Sequence, residues 1–374
     1  MNAHDQNAQA TSGVDTMAVP AHTSDGARAG HAAGDAAPVT GGRASAVGGV
    51  ILRATDLCKH FPVTTFFGKT KQVVRAVDGV SLEIRRGETF GLVGESGCGK
   101  STLGRTLIRM YEPTSGTVEF DGKDITRAKG RELVDIHRRM QIVFQDPYLS
   151  LDPHMTVREI VSEPMLVDQR LSASEIDDRV VEILDRVSLH HDDMYKFAYE
   201  FSGGQRQRVG IARALSVNPD FILCDEPISA LDVSIQAQVV NMLEDLQSEL
   251  GLTYLFVAHD LSMVRHISTR IGVMYLGRLV EVAPADELYE NPLHPYTRAL
   301  LSAVPIPDPD VARASSRQIL TGEIPSPLNV PGGCRFHTRC PLATEACEHS
   351  DESLVEVCPG HFVNCIVARD RAGK

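Results

Sequence analysis

The apolar positions of the chain change period along its length, and each change marks a new element. Short stretches of alternating polarity at 53–61, 76–84 and 117–125, the last broken by an Asp121-Gly122 turn, predict strands of an antiparallel layer. Continuous apolar runs at 89–93, 140–144, 221–224, 254–258 and 271–275 predict strands covered on both faces, as in a parallel sheet. Between some of these runs the period lengthens to that of a helix, notably over 206–217 and 234–250. In the second helix Val239, Leu243, Leu246 and Leu250 share one face and Gly251 ends it. Strands alternating with helices predict an α/β fold.

The 374 residues leave room for roughly two or three domains. The first 50 contain 13 Ala and 8 Gly and no Leu, Ile or aromatic residue, so 1–47 are expected to form a disordered extension. No run approaches the ~20 apolar residues of a membrane-spanning helix, and no basic-then-apolar leader opens the chain. A cytoplasmic protein is therefore expected. Asp and Glu outnumber Lys and Arg 49 to 37, a formal charge of −12 that offers no basic field for nucleic acid or an acidic lipid surface.

The strongest chemical signal is Gly94-Glu95-Ser96-Gly97-Cys98-Gly99-Lys100-Ser101-Thr102, which fits G-x-x-x-x-G-K-[ST] between an apolar strand and a helical segment. Its glycines permit the tight turn that aims successive N–H groups at an anion. Lys100 suits the β and γ phosphates of a nucleotide, and the Ser101 hydroxyl suits Mg²⁺. Alone, such a match also fits a flexible turn with a solvated lysine. The run at 221–224 ends in Asp225 and Glu226, the arrangement needed for a metal-side acid and, one residue on, a general base. Either acid alone would equally fit a cap.

Phe201-Ser202-Gly203-Gly204-Gln205, 20 residues before the acidic pair, resembles the signature motif of ATP-binding-cassette (ABC) ATPases. Gln145, Ser229-Ala230-Leu231-Asp232 and His259 match that family's Q-loop, D-loop and switch histidine in order, and Phe61 stands where it places an adenine-stacking aromatic. The likeness runs from about residue 50 to 283. It implies a P-loop NTPase cassette, residues 48–284, with a mixed sheet, a RecA-like core, an antiparallel β layer and a helical subdomain at about 146–216. It also implies the site residues. Mg²⁺ and ATP would be held by Ser101, Gln145 and Asp225 with the phosphate loop, and Glu226, His259 and Gln145 would serve hydrolysis. Ser202, Gly203, Gly204 and Gln205, ahead of a helix expected from Arg206, would form a second phosphate cradle, and the D-loop Asp232 is expected among the nucleotide-binding residues. One ATP does not need two cradles from one molecule, so two cassettes are expected to pair head to tail.

Beyond the cassette, proline-rich stretches at 291–297 and 303–310 and a cysteine-bearing segment at 332–366 could simply be a linker and buried thiols. They resemble the C-terminal extension, here 285–374, of ATPase subunits from bacterial dipeptide and oligopeptide importers, most closely the F-type subunit. The resemblance implies a paralogous D-type ATPase partner, two transmembrane permease subunits and an extracytoplasmic substrate-binding protein. It places the chain peripherally on the cytoplasmic face of the membrane, with residues 145–166 as the groove for a permease helix. Cys334-x5-Cys340-x6-Cys347-x17-Cys365 matches the extension's cysteines, which in some members hold a [4Fe-4S] cluster. His337, His349 and His361 keep a mixed zinc site open, and Cys358 has no place in the four-cysteine scheme. Cys98, inside the phosphate loop, is expected to be open to oxidation. Nickel and glutathione importers use similar subunits. A soluble ABC ATPase of DNA maintenance or translation normally has two cassettes, coiled-coil insertions or basic arms, which this acidic single-cassette sequence lacks. A P-loop kinase would leave Ser202 to Gln205 and His259 unexplained.

Overall fold

The computed structural model describes residues 48–64, 70–167, 171–304, 320, 322–351 and 353–371. The expected N-terminal extension and most of the 303–310 stretch lie outside the described residues.

The alternating segments form one antiparallel sheet. Strand β1 (Val50–Thr64) pairs with β2 (Thr70–Arg85), placing Leu52 opposite Ile84 and Ala54 opposite Leu82. On its other side lies β4 (Ser115–Phe120), which turns into the short β5 (Lys123–Asp124). That turn needs positive φ at both central residues, and Asp121 (53°) and Gly122 (74°) supply it.

The continuous apolar runs form the second sheet, whose order is β11-β12-β10-β9-β3-β8-β7-β6. Its parallel members are β3 (Thr89–Val93), β6 (Met140–Val143), β7 (Phe221–Asp225), β8 (Thr253–Val257) and β9 (Arg270–Tyr275). Every residue of β3, β7 and β8 is buried, which is why these strands show no alternation in sequence. The pleat sends successive side chains to opposite cores. Phe221 and Leu223 join Leu52, Ile84 and Leu103 under the antiparallel layer, while Ile222 and Cys224 join Val209 and Leu243 beneath the helices. Each fully buried large side chain contributes roughly 1.5–3 kcal/mol to this packing.

Between β6 and β7 the chain builds a helical layer: α3 (Pro147–Ser150), α4 (Val157–Leu166), α5 (Ala173–Arg186) and α6 (Gly203–Leu215). Thr156 with Glu159, and Ser172 with Glu175, form capping boxes at the starts of α4 and α5. Helix α6 starts at Gly203 rather than near Arg206, because Ser202 Oγ accepts the Gln205 N–H and fixes the N-terminus three residues earlier. In α7 (Val233–Leu250) Val239, Leu243 and Leu246 are buried as expected, but Leu250 is 41% exposed. It occupies the final turn, where Gly251 (φ 66°) ends the helix.

The C-terminal extension continues the same sheet. After β10 (Arg278–Pro284), α9 (Ala285–Glu290) and α10 (Pro295–Ser302), the hairpin β11 (Val355–Cys358) and β12 (His361–Val363) pairs Val363 with Glu281 of β10. Glu281 is fully buried and accepts from the Leu293 and His294 N–H groups at 2.7 and 3.0 Å, with His361 at 2.7 Å. Helix α11 (Ile366–Arg371) closes the described chain. No helix among the described residues is long and apolar enough to cross a membrane.

Candidate nucleotide site

Four neighbouring parallel strands, in the order β3-β8-β7-β6, carry the phosphate loop, His259, the acidic pair and Gln145 on the segments that leave their C-terminal ends, the edge where open α/β sheets bind ligands. After β3 the chain turns through Gly94 (φ 154°), Gly97 (78°) and Gly99 (110°) into α1 (Lys100–Leu107). A Cβ on Gly94 would lie 2.2 Å from the Met274 carbonyl oxygen, and one on Gly99 2.1 Å from that of Ala76. Only glycine fits those two places. Lys100 folds back over the loop, 4% exposed, and donates to the Gly94 and Glu95 carbonyls at 2.8 and 3.1 Å. Among the described residues no carboxylate neutralises it, which suits a polyanion. Ser96 and Gly97 are exposed, and Ser101 and Thr102 are half-buried in the first turn of α1. Cys98 departs from expectation: it is 5% exposed and burial pushes its thiol up, so the reactive thiolate is disfavoured.

Asp225 ends β7 fully buried. Its Oδ2 accepts from Arg105 Nε and Nη2 at 3.1 and 2.9 Å, whereas the buried Oδ1 has no hydrogen-bond partner among the described residues. An orphaned carboxylate oxygen is the kind of group a hydrated Mg²⁺ satisfies, so the donor set of Asp225 and Ser101 fits that ion. Sequence reading misses Arg105; as the sixth residue of α1 it resembles an ordinary helix surface position.

Gln145, Glu226 and His259, 114 residues apart at the extremes, converge. Gln145 Nε2 donates to Glu226 Oε2 at 2.8 Å, and His259 Nδ1 lies 3.6 Å from the same oxygen. Glu226 holds a left-handed φ of 50°, a strained setting for a non-glycine residue that costs on the order of 1–3 kcal/mol and is typical of functional positions. Its N–H is anchored on the Val257 carbonyl at 2.9 Å.

Ser202 to Gln205 stand elsewhere. They form the start of α6, with Ser202 exposed, and among the described residues no hydrogen bond joins them to the phosphate loop. Gly204 packs so closely on Ile235 that a Cβ would meet its Cγ2 at 2.6 Å, which sets this helix end against the start of α7, where Asp232 is exposed. Phe61 meets Tyr111 edge to face at 5.8 Å, and Lys59 Nζ lies 5.0 Å from its ring centre. Tyr111 is a second aromatic at this place that sequence reading missed.

In the extension, Cys334 donates its N–H to the Cys347 carbonyl at 2.7 Å. The Cys340 and Cys347 sulfurs face the Leu342 and Thr344 N–H groups at 3.4 and 3.5 Å. Burial, with smaller contributions from Cys365, Cys347 and Cys340, pushes the Cys334 thiol up to about 12. No three of these sulfurs lie within 4.8 Å of one another. One tetrahedral zinc ion, with Zn–S near 2.3 Å, would hold them about 3.8 Å apart. Of the histidines weighed for zinc, His361 is engaged by Glu281 and His337 Nδ1 by the Cys334 carbonyl at 2.7 Å. Cys358 is exposed on β11.

A phosphate loop, an acidic strand end with a flanking glutamine and histidine, and a separate glycine-capped helix define the ATP-binding cassette class. Residues 77–229 match the ABC transporter family and residues 280–347 the oligopeptide/dipeptide transporter C-terminal region. The chain is 55% identical to YkfD of Bacillus subtilis over 325 residues, 87% of this chain and 97% of that protein. It is 49% identical to the oligopeptide transport ATP-binding protein OppF of Salmonella typhimurium over 321 residues, 85% and 96% of the two chains. The dimeric ATP-binding cassette MJ0796, solved with ADP and Pi, superposes with a TM-score of 0.57 at 30% identity, covering 63% of this chain and 99% of that one. The chain belongs to the ABC transporter family of ATPases, among those that carry the oligopeptide/dipeptide transporter C-terminal region.

Proposed function

We propose that the chain is the motor subunit of an importer for dipeptides or oligopeptides, hydrolysing ATP on the cytoplasmic face of the membrane. The observation that carries this reading is the meeting of Gln145 and His259 on one oxygen of Glu226, beside a phosphate loop and in a chain that shares the peptide-transporter extension. The phosphate loop and Lys100 bind the phosphates, and Phe61 with Tyr111 offers aromatic surface to the adenine. Asp225, Ser101 and Gln145 would hold Mg²⁺, which neutralises charge on the phosphates when bound. Glu226 takes a proton from the water that attacks the γ phosphorus, and the bond from that phosphorus to the β–γ bridging oxygen breaks. His259 and Gln145 keep Glu226 and the water aligned. Most of the rate comes from positioning and charge; general-base catalysis contributes about 10²- to 10⁴-fold.

The exposure of Ser202 and its distance from hydrogen-bonding reach of its own phosphate loop support pairing with a second cassette, a paralogous D-type ATPase, each ATP lying between one phosphate loop and the other signature. Two permease subunits and an external binding protein complete the transporter. Tyr148 and Leu149, 60% and 88% exposed three and four residues after Gln145, offer apolar surface for a permease helix. The likeness of the Cys334, Cys340, Cys347 and Cys365 spacing to that of the family's extension supports a [4Fe-4S] cluster held by these four thiolates. Such a cluster would tie the extension's loops together through iron–thiolate bonds. Iron and acid-labile sulfide in anaerobically purified protein support it; zinc or no metal would refute it. Glu226→Gln in the assembled transporter should retain ATP binding and lose hydrolysis and peptide uptake, and unchanged turnover would remove Glu226 from its role.

A further inference from the structure

Glu95 occupies a variable position of the phosphate-loop motif, yet the fold engages it twice from the C-terminal extension. Its carboxylate receives both terminal nitrogens of Arg339, at 2.9 and 3.1 Å, and its backbone N–H donates to the Tyr296 hydroxyl at 2.8 Å. Both partners are embedded. The Arg339 side chain is 6% exposed, and Tyr296, fully buried, packs with Tyr275 and Phe336 at 4.7 and 5.4 Å between ring centres. Four residues earlier in the extension, Arg335 reaches Asp78 and the Leu276 carbonyl, and the neighbouring Gly277 N–H donates to the Cys98 carbonyl at 2.8 Å. The extension thus grips the loop directly at Glu95 and, through Arg335, bears on the Leu276-Gly277 turn of the cassette that holds Cys98; Arg339 adjoins Cys340.

Two physical consequences follow for a nucleotide. The Gly94 and Glu95 carbonyls that seat Lys100 belong to a glycine-rich turn, and fixing that turn before ATP arrives lowers the ordering cost of binding. A carboxylate at this spot, 22% exposed, would also repel a triphosphate, and the two-pronged contact with Arg339 neutralises it. We infer that Arg339 is a positioning residue for ATP: through Glu95 it presets and neutralises the phosphate loop, so that nucleotide affinity depends on the fold of the cysteine-bearing extension. The inference rests on ATP binding at the Lys100 loop.

The test measures KM and kcat for ATP in the assembled transporter, with Kd for a fluorescent ATP analogue and metal content on each full-length variant. Arg339→Gln should raise KM and Kd by about tenfold, within the range for residues coupled in one network, and leave kcat within about twofold. Adding Glu95→Gln should recover most of that loss, because no unpaired carboxylate remains. Arg339→Lys, which keeps the charge without the fork, should fall between and serves if the glutamine variant is poorly folded. A KM within twofold of the parent for Arg339→Gln, or for Arg339→Lys in its place, overturns the inference. So does a double variant as weak as Arg339→Gln alone with its metal content intact. Lys100→Ala, run alongside, abolishes binding whichever way Arg339 falls, so failure of the site assignment is told apart from failure of the positioning role.

Discussion

Replacing Arg105 by methionine isolates the electrostatics of the metal-side acid. Asp225 is fully buried, and its one charge-neutralising contact among the described residues is the pair of hydrogen bonds from Arg105 at 2.9 and 3.1 Å. Methionine keeps most of the aliphatic volume, so the change removes charge and donors while sparing packing. Breaking a buried pair by removing one partner costs about 3–5 kcal/mol, because the remaining charge is left uncompensated. The Arg105 side chain is 30% exposed, and water entering there reduces the penalty, so about 2–3 kcal/mol is the expected loss. Urea denaturation of the nucleotide-free chain reads it as a fall in the midpoint without a change in slope. Mg²⁺ with a slowly hydrolysed ATP analogue should stabilise the variant more than the parent, since the ion supplies the missing positive charge. A variant as stable as the parent within about 0.5 kcal/mol, or a smaller stabilisation by Mg²⁺ and nucleotide, would refute the reasoning.

Two further predictions concern the loop and the extension. Gly99→Ala places a methyl group 2.1 Å from the Ala76 carbonyl oxygen at a φ of 110°, so the loop must deform; equilibrium binding should show ATP affinity falling at least about tenfold, and unchanged affinity would contradict the geometry. His294 is 1% exposed, its Nδ1 accepts the Tyr296 N–H at 3.1 Å, and burial pushes its pKa down from 6.5 to about 4. Because the folded pKa lies below the unfolded one, the contribution is full above about pH 6.5 and is lost as pH falls toward 4. The loss amounts to on the order of 3 kcal/mol, which His294→Phe should flatten in denaturation midpoints taken from pH 7 to 4.5.

The main sheet and the nucleotide loop were legible because their rules are local. A strand buried on both faces must be apolar throughout, as 221–224 is, and a phosphate turn must place glycine where a Cβ would strike backbone, as at Gly94 and Gly99. The start of α6 was displaced by three residues because the Ser202 cap outweighed the weak helical signal of Gly203 and Gly204. Long-range contacts left no such trace. Arg339 and Glu95 are 244 positions apart, and each alone resembles a solvated charge. Arg105 and Tyr111 owe their roles to β7 and β1, which meet them only after folding. Cys98 lies inside the phosphate loop and so reads as open to oxidation, yet the folded turn buries its sulfur.

If this chain supplies half of each of two nucleotide sites shared with a second cassette, ATP must draw its signature onto the partner's phosphate loop. Full-length transporter carrying Glu226→Gln and a spin label at Gln205→Cys, paired with a label on the partner's phosphate-loop helix, reports that closure as a distance. The expected result is a long distance without nucleotide and a single short one, within one helix diameter (~10 Å), with Mg²⁺ and ATP. An unchanged long distance with ATP bound at Lys100 would contradict it.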